Sequence, residues 1–200
     1  MKKIFAFLLF VLVTEAIFAQ NQADLTRFNT ERLKMNRTGM YVLGGWAIAN
    51  FGTNGALLIN ASGENKYFYQ MNIFWNLVNV GLAGSGLLGY RHDDPAGFNA
   101  FQTLDEQYSV EKVLLLNAGL DVAYISMGLW LKEKGKSPEN SIQKNQLLTG
   151  YGKSLLLQGA FLLVFDASFY GVMHHHLNKN KFIFENLTFS GNAASVIIRF

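Results

Sequence analysis

The chain has 200 residues, of which 50% are hydrophobic and 16% are charged, and its formal net charge is +3. This length fits one domain, and apolar residues gathered into long blocks are typical of a membrane protein. The basic residues are scattered, which excludes a dense basic face for nucleic acid. Because the chain has no cysteine, it has neither a disulfide framework nor a thiolate site.

Residues 1–19 have the pattern of a secretory signal peptide. Lys2 and Lys3 supply the positive region, residues 4–13 form the apolar region, and Ala19 offers a small residue before a cleavage point. An uncleaved anchor helix is the alternative, because Phe18 is bulky for a cleavage site. Both interpretations send the chain into an export route, and we expect a multi-pass protein of the inner membrane.

Residues 20–38 are polar and carry several basic side chains. Leu25, Phe28 and Leu33 recur at helical spacing within this segment. The pattern predicts a short amphipathic helix at the membrane surface.

Four apolar blocks follow within residues 39–176. They cover residues 39–60, 69–90, 113–131 and 147–173. Each has about 20 residues or more, enough at a rise of about 1.5 Å per residue to cross a hydrocarbon layer of about 30 Å. Residues 155–165 are apolar on both faces of any strand, which favours helices. The predicted fold is therefore an all-α membrane protein, a four-helix transmembrane bundle.

The tail, residues 177–200, has strand-like patterns. Residues 182–184 and 196–200 flank a turn at Ser190, Gly191 and Asn192, which predicts a short β-hairpin. The terminal Phe200 after alternating apolar residues also resembles the closing strand of an outer-membrane β-barrel, and this barrel is the alternative fold.

Each predicted span brings a hydrogen-bonding side chain near the bilayer midplane, and two spans carry acids. A buried polar group without a partner is costly, so we expect these side chains to face one another inside the bundle. An intramembrane acid indicates a site, because it is tolerated only in a bundle interior or a water-filled cavity. The predicted ligand-binding residues are Asn50, Asn76, Asn79, Asn117, Asp121, Tyr124, Gln158 and Asp166.

Two interpretations of these polar residues stay open. Asp121 and Asp166 add ionisable groups that bind a cation, a proton or a small polar ligand. In the structural alternative the amides only hold the helices together, Gly119 and Gly128 permit close approach of the backbones, and the protein is an accessory subunit of an envelope complex.

An enzyme comes third among the functional hypotheses. The run His174 to His176 and the pair His92 and Asp93 suggest a metal centre, but neighbouring helical residues point about 100° apart and the usual ligand spacings are absent. We therefore predict no metal, no cofactor and no catalytic residue.

The segments 117–124 and 150–166, together with Trp75 and Asn76 in the run 72–79, resemble an uncharacterised family of multi-helix membrane proteins from Bacteroidetes-type bacteria. The resemblance covers most of the chain after the leader. It implies a membrane architecture and a bacterial envelope location, and it brings no assigned activity. Separately from the resemblance, the expected partners are the lipid bilayer and, for an accessory subunit, an envelope protein.

Overall fold

The computed structural model describes the backbone of residues 2–185, 187–190 and 193–196, and the side chains of residues 22–184. Its long helices are α1 (Lys2–Leu58), α2 (Gly63–Gly89), α3 (Ala100–Lys134) and α4 (Ile142–Lys179). A 3-10 turn (Pro95–Gly97) precedes α3, and α4 is followed by α5 (Phe182–Glu185) and the antiparallel strands β1 (Leu187–Ser190) and β2 (Ala193–Val196).

The helix starts are fixed by local hydrogen bonds. Asn99 accepts from the backbone N–H of Gln102, and the Gln102 side chain accepts from the Asn99 N–H, so a capping box begins α3. Ser141 caps α4 by accepting from the N–H of Lys144. Gly63 begins α2 with a φ of 58°, a left-handed conformation that favours glycine.

Glycines bring α4 against its neighbours. A Cβ at Gly152 would lie 2.6 Å from the Gly128 carbonyl oxygen of α3, and a Cβ at Gly150 would lie 2.8 Å from the Phe68 nitrogen of α2. Such distances are too short for any side chain, so α4 approaches both helices backbone to backbone. The helix α2 also packs along α1, and together the four long helices form a bundle.

The bundle is polar inside and apolar outside. Eight polar residues are buried in one half of the bundle, which we call the upper half. They are Asn54, Asn72, Asn76, Asn79, Asp121, Ser154, Gln158 and Asp166. Large apolar side chains such as Ile48, Phe74, Leu116 and Val164 are exposed. A protein surrounded by water buries its apolar residues instead, and contiguous apolar surface indicates a membrane or a partner.

Two helices, α3 and α4, are long and apolar enough to cross a membrane among the residues that the structure describes. Only 17% and 28% of their most apolar stretches are buried inside the chain. The sequence predicted four such spans. The helices α1 and α2 also form, but amides and glycines lower the mean hydropathy of their apolar runs.

Two apolar clusters lie between the upper polar residues and the other end of the bundle. Leu25 and Phe28 of α1 pack on Leu177 and on Ile183 of α5. Higher up, Leu114 of α3 packs on Phe169 and Met173 of α4. The second cluster separates the buried polar residues into an upper and a lower group.

The tail differs from the sequence prediction. Residues 182–184, predicted as a strand, lie in the helix α5, because the N–H groups of Ile183 and Phe184 bond to the carbonyls of Asn180 and Lys181 and Ile183 is buried against α1. The predicted partner, residues 196–200, lies almost wholly outside the described residues, as does most of the turn. The antiparallel pair occurs between residues 187–190 and 193–196 instead. The alternative barrel is wrong for residues 2–185, which are almost entirely helical.

The predicted segment boundaries fall inside one helix. α1 runs without a break through residues 19 and 38, so residues 20–38 share an axis with the first predicted span. The leader and the surface location of residues 20–38 stay predictions.

Candidate functional site

The candidate site is built around two acids on neighbouring helices. Asp121 of α3 and Asp166 of α4 are 2% and 4% exposed, and their carboxyl groups are close enough for a hydrogen bond between them. Two carboxylates have no proton to donate, so the bond exists only while one of the two carboxyls is protonated. While that bond exists, the pair carries one negative charge and one exchangeable proton.

A cavity of about 140 Å³ adjoins the acid pair. Four helices contribute to its wall: Leu43 from α1, Trp75 and Asn79 from α2, Asn117 and Tyr124 from α3, and Phe165 from α4. The indole of Trp75 and the ring of Tyr124 meet edge to face with their centres 4.9 Å apart. The cavity therefore combines carboxyl and amide groups with aromatic walls.

Three polar atoms of the residues around the cavity have no partner among the side chains and backbone groups described. They are Nε1 of Trp75, Nδ2 of Asn79 and, apart from the contact with Asp166, Oδ2 of Asp121. Buried donors and acceptors are satisfied in folded proteins as a rule, so unpaired atoms at a cavity indicate a polar guest. Two donors and one acceptor are available to it.

A second set of polar side chains forms a network that only joins helices. Gln158 of α4 accepts from Nε1 of Trp46 at 3.1 Å and donates to Oδ1 of Asn72 at 2.7 Å. Asn72 in turn accepts from Ser154 at 2.8 Å and donates to Asn54 at 3.3 Å. The network links α1, α2 and α4, and its groups satisfy one another.

The structure brings five of the eight predicted residues to the cavity: Asn79, Asn117, Asp121, Tyr124 and Asp166. The other three do not line it. Gln158 belongs to the network, Asn76 donates to the carbonyl of Asn72, and Asn50 donates to the carbonyl of Trp46 in its own helix. The expected meeting of the four midplane groups is not observed, because Asn79 and Asp121 line the cavity whereas Asn50 and Gln158 bond elsewhere.

Two residues of this region were not predicted from the sequence. Trp75 lines the cavity, and Asn72 is the centre of the network. A signal existed for both, because Asn72 begins the row of amides at i, i+4 and i+7, and Trp75 lies four residues before Asn79 on one helical face.

A lower polar group lies beyond the cluster of Leu114. Glu111 is 6% exposed, its Oε1 accepts from Gln107 at 2.8 Å, and its Oε2 lies 3.2 Å from Nδ1 of His174. Nearer the bundle end, Asn29 donates to Thr103 over 2.8 Å.

Arg32 is the one cation among the most deeply buried side chains of the described region. It is 1% exposed, donates to Asn29 over 3.2 Å, and lies 3.7 Å from Glu106. Burial lowers the pKa of the Arg32 guanidinium, and the charges of Glu106 and Asp93 oppose this shift.

The three consecutive histidines point to different places. His174 faces Glu111, His176 contacts the carbonyl oxygen of Phe28 at 3.2 Å, and His175 lines a separate surface depression. Among the described residues, no three His, Asp or Glu side chains come together as a metal-binding group.

A model of a family of unknown function, DUF6992, matches residues 42–167. The chain belongs to DUF6992. The sequence analysis expected a family without assigned activity, and the DUF6992 membership confirms this. The matched range contains every residue that lines the cavity, from Leu43 to Asp166, so the site belongs to the DUF6992 part of the chain. No curated protein and no solved structure matches the chain.

Proposed function

We propose that the protein is an integral membrane bundle that binds a small monovalent cation at Asp121 and Asp166, in exchange for the proton that the two acids share. The position of two buried carboxyls beside each other at one cavity carries this proposal. When the cation enters, the proton leaves, so the net charge of the site is unchanged.

The surroundings of the pair support a cation. Among the cavity residues that the structure describes there is no lysine or arginine to neutralise the acids, and a lone charge inside an apolar bundle is costly. Asn79 and Asn117 line the cavity, and the oxygen of an amide side chain is a suitable ligand for an alkali ion. The aromatic faces of Trp75 and Tyr124 also suit a small ammonium ion.

The apolar exterior supports the proposed membrane setting. The exposed apolar side chains face lipid, and α3 and α4 cross the bilayer together with the apolar blocks of α1 and α2. The chain reaches the inner membrane of a bacterial envelope through its N-terminal leader, consistent with the predicted signal pattern of residues 1–19. The exchange of cation and proton would serve a carrier or a sensor.

Proton release tests the exchange directly. Purified full-length protein in a weakly buffered detergent solution with a pH dye is mixed with sodium, potassium or methylammonium chloride, and with choline chloride as the large-cation control. We expect about one proton per chain to be released by at least one small cation, and none by choline.

Variants show where the proton comes from. Asp121→Asn and Asp166→Asn keep the size of the side chain and the hydrogen bond between the pair, so both should retain a helical circular dichroism spectrum and lose proton release. Asp105→Asn, at an exposed acid of the same helix as Asp121, is the matched control and should release protons normally. Folded wild-type protein that releases no proton with any cation, or Asn variants that still do, would overturn the proposal.

The network around Asn72 favours a second candidate function, that of a structural subunit. Because Gln158, Asn72 and Trp46 satisfy one another, they act as structural polar contacts, which suits a subunit that anchors an envelope complex. In that case replacing Asp121 by Asn would leave every property unchanged, whereas Asp121→Leu would lower stability by leaving Asp166 unpaired. The partner in this candidate is another envelope protein.

A further inference from the structure

A groove runs along the outside of the bundle between α1 and α4. Its upper part has a volume of about 490 Å³ and is lined almost entirely by apolar groups, among them Gly39 and Val42 of α1 and Val164 and Val172 of α4. The two helices touch at its floor, where Gly39 meets the ring of Phe169. The groove is therefore open and lined by apolar groups. It lies on the surface that faces lipid in the proposed membrane setting.

A depression of about 420 Å³, whose wall is partly polar, continues the groove towards the end of the bundle. The two share Met35, Ser168 and Val172. Lys179 and His175 line the depression, and Lys34 lies at the edge of the apolar part. The whole groove is thus amphipathic, with its cations at one end.

One carboxylate, Glu31, also lines the depression. Its Oε2 lies 3.5 Å from Nδ1 of His176, so it has a partner of its own. Lys34 and Lys179 form no ion pair with any side chain that the structure describes. An anion at this end would therefore meet two available ammonium groups.

The dimensions match one leaflet of a bilayer. Along α4 the apolar part extends from Phe161 to Val172, about 16 Å at the helical rise. Half of the hydrocarbon layer is about 15 Å thick. The next two turns of α4 bring His175 and Lys179 to the level of the lipid headgroups.

We propose that this groove binds one anionic membrane phospholipid, with an acyl chain against Gly39 and Val164 and the phosphate between Lys34 and Lys179. The length of the apolar part and the position of the cations carry the assignment. Basic pockets between membrane helices bind anionic headgroups in this way. The inference rests on the proposed membrane setting but not on the exchange at Asp121.

Native mass spectrometry of the full-length protein tests the assignment. The protein, purified in detergent, is mixed with equal amounts of phosphatidylglycerol and phosphatidylcholine in mixed micelles. We expect one phosphatidylglycerol per chain to be retained in preference to phosphatidylcholine.

Two variants test the two parts of the groove separately, one by reversing its charge and one by blocking its space. Exchanging Lys34 and Lys179 together for Glu should weaken retention of phosphatidylglycerol by about tenfold or more, since each basic residue near the surface contributes on the order of 1 kcal/mol. Ser168→Trp places a bulky ring where the apolar and polar parts join, and it should abolish retention of the lipid. Lys112→Glu, an exposed lysine of α3 that lines neither part, is the matched control and should retain the lipid.

Asp121→Asn keeps this inference separate from the proposed function, because this variant should still bind the lipid even if cation exchange is lost or never present. Equal retention of both lipids, or normal retention by the double Glu variant or by Ser168→Trp in helical protein, would overturn the inference. A wild-type dimer that Ser168→Trp converts to a monomer would also overturn it, and would assign the groove to a second copy of the chain.

Discussion

Gln158 of α4 donates from Nε2 to Oδ1 of Asn72 in α2 over 2.7 Å, although 86 residues separate them in the chain. The same oxygen accepts from the hydroxyl of Ser154 at 2.8 Å. Asn72, Ser154 and Gln158 are all fully buried. This oxygen is thus the point at which α2 and α4 are joined inside the bundle.

Replacing Gln158 by Met should lower the free energy of unfolding by about 1 to 3 kcal/mol, because buried partners in Asn72 and Trp46 lose a hydrogen bond while the volume is kept. Thermal unfolding in detergent, followed by circular dichroism, measures the change. Gln143→Met, at an exposed position of the same helix, should alter stability by less than about 0.5 kcal/mol. Equal effects at the two positions would show that the network does not stabilise the bundle.

Two glycines should respond to alanine with opposite signs. At Gly152 the new Cβ would lie 2.6 Å from the Gly128 oxygen and 2.8 Å from the Lys132 nitrogen, and backbone atoms give way only if the helices separate, so we expect a loss of about 1 to 3 kcal/mol. At Gly119 nothing lies within 4 Å, and the better helix propensity of alanine should add up to about 1 kcal/mol. Unfolding of both variants under one condition tests this, and a stabilising Gly152→Ala would contradict the close packing.

The contact between Asn29 and Thr103 fixes α1 on α3 in the lower half. Thr103→Val keeps the shape of the buried side chain but removes the oxygen to which Asn29 donates over 2.8 Å, so it should destabilise the protein by about 1 kcal/mol or more. Thr53→Val, at an exposed position of α1, serves as the control. Hydrogen exchange should show the loss first in residues 22–38, and a silent Thr103→Val would contradict the assignment.

The ion pair between Lys153 and Glu64 should matter little. Their side chains are 48% and 31% exposed, and exposed pairs contribute about 1 kcal/mol or less. Lys153→Met should therefore reduce stability by no more than about 1 kcal/mol, and the difference from wild type should shrink in 1 M salt, where charges are screened within about 3 Å. A larger loss that persists in high salt would show that Lys153 has a structural role beyond this pair.

The sequence predicted the rows of amides better than it predicted their partners. Asn72, Asn76 and Asn79 share one helical face by spacing, and all three are buried. Their partners are not local, because Asn72 meets Gln158 whereas Asn79 reaches the cavity of Asp121. Periodicity gives the face of a helix but not the neighbour that this face meets.

The lower polar group shows the same limit. Gln107 and Glu111 lie in the predicted connection before the third apolar block, and His174 follows the end of the fourth block. Only the extension of α3 and α4 beyond the apolar blocks brings them together in one bundle. The tail gives a further case, since alternation in residues 182–184 predicted a strand, whereas burial of Ile183 against Phe28 favours a helical turn.

The sequence by itself determined that the chain is helical, that its apolar blocks are long, and that two acids lie within them, because hydrophobic periodicity and charge placement are properties of the chain alone. Only the tertiary structure decided that Asp121 and Asp166 lie side by side at one cavity while Gln158 bonds to Asn72. The close contact of Gly128 with Gly152 fixes the register of α3 against α4, and this register sets which side chains oppose each other. That register depends on close packing between helices, which no local pattern encodes.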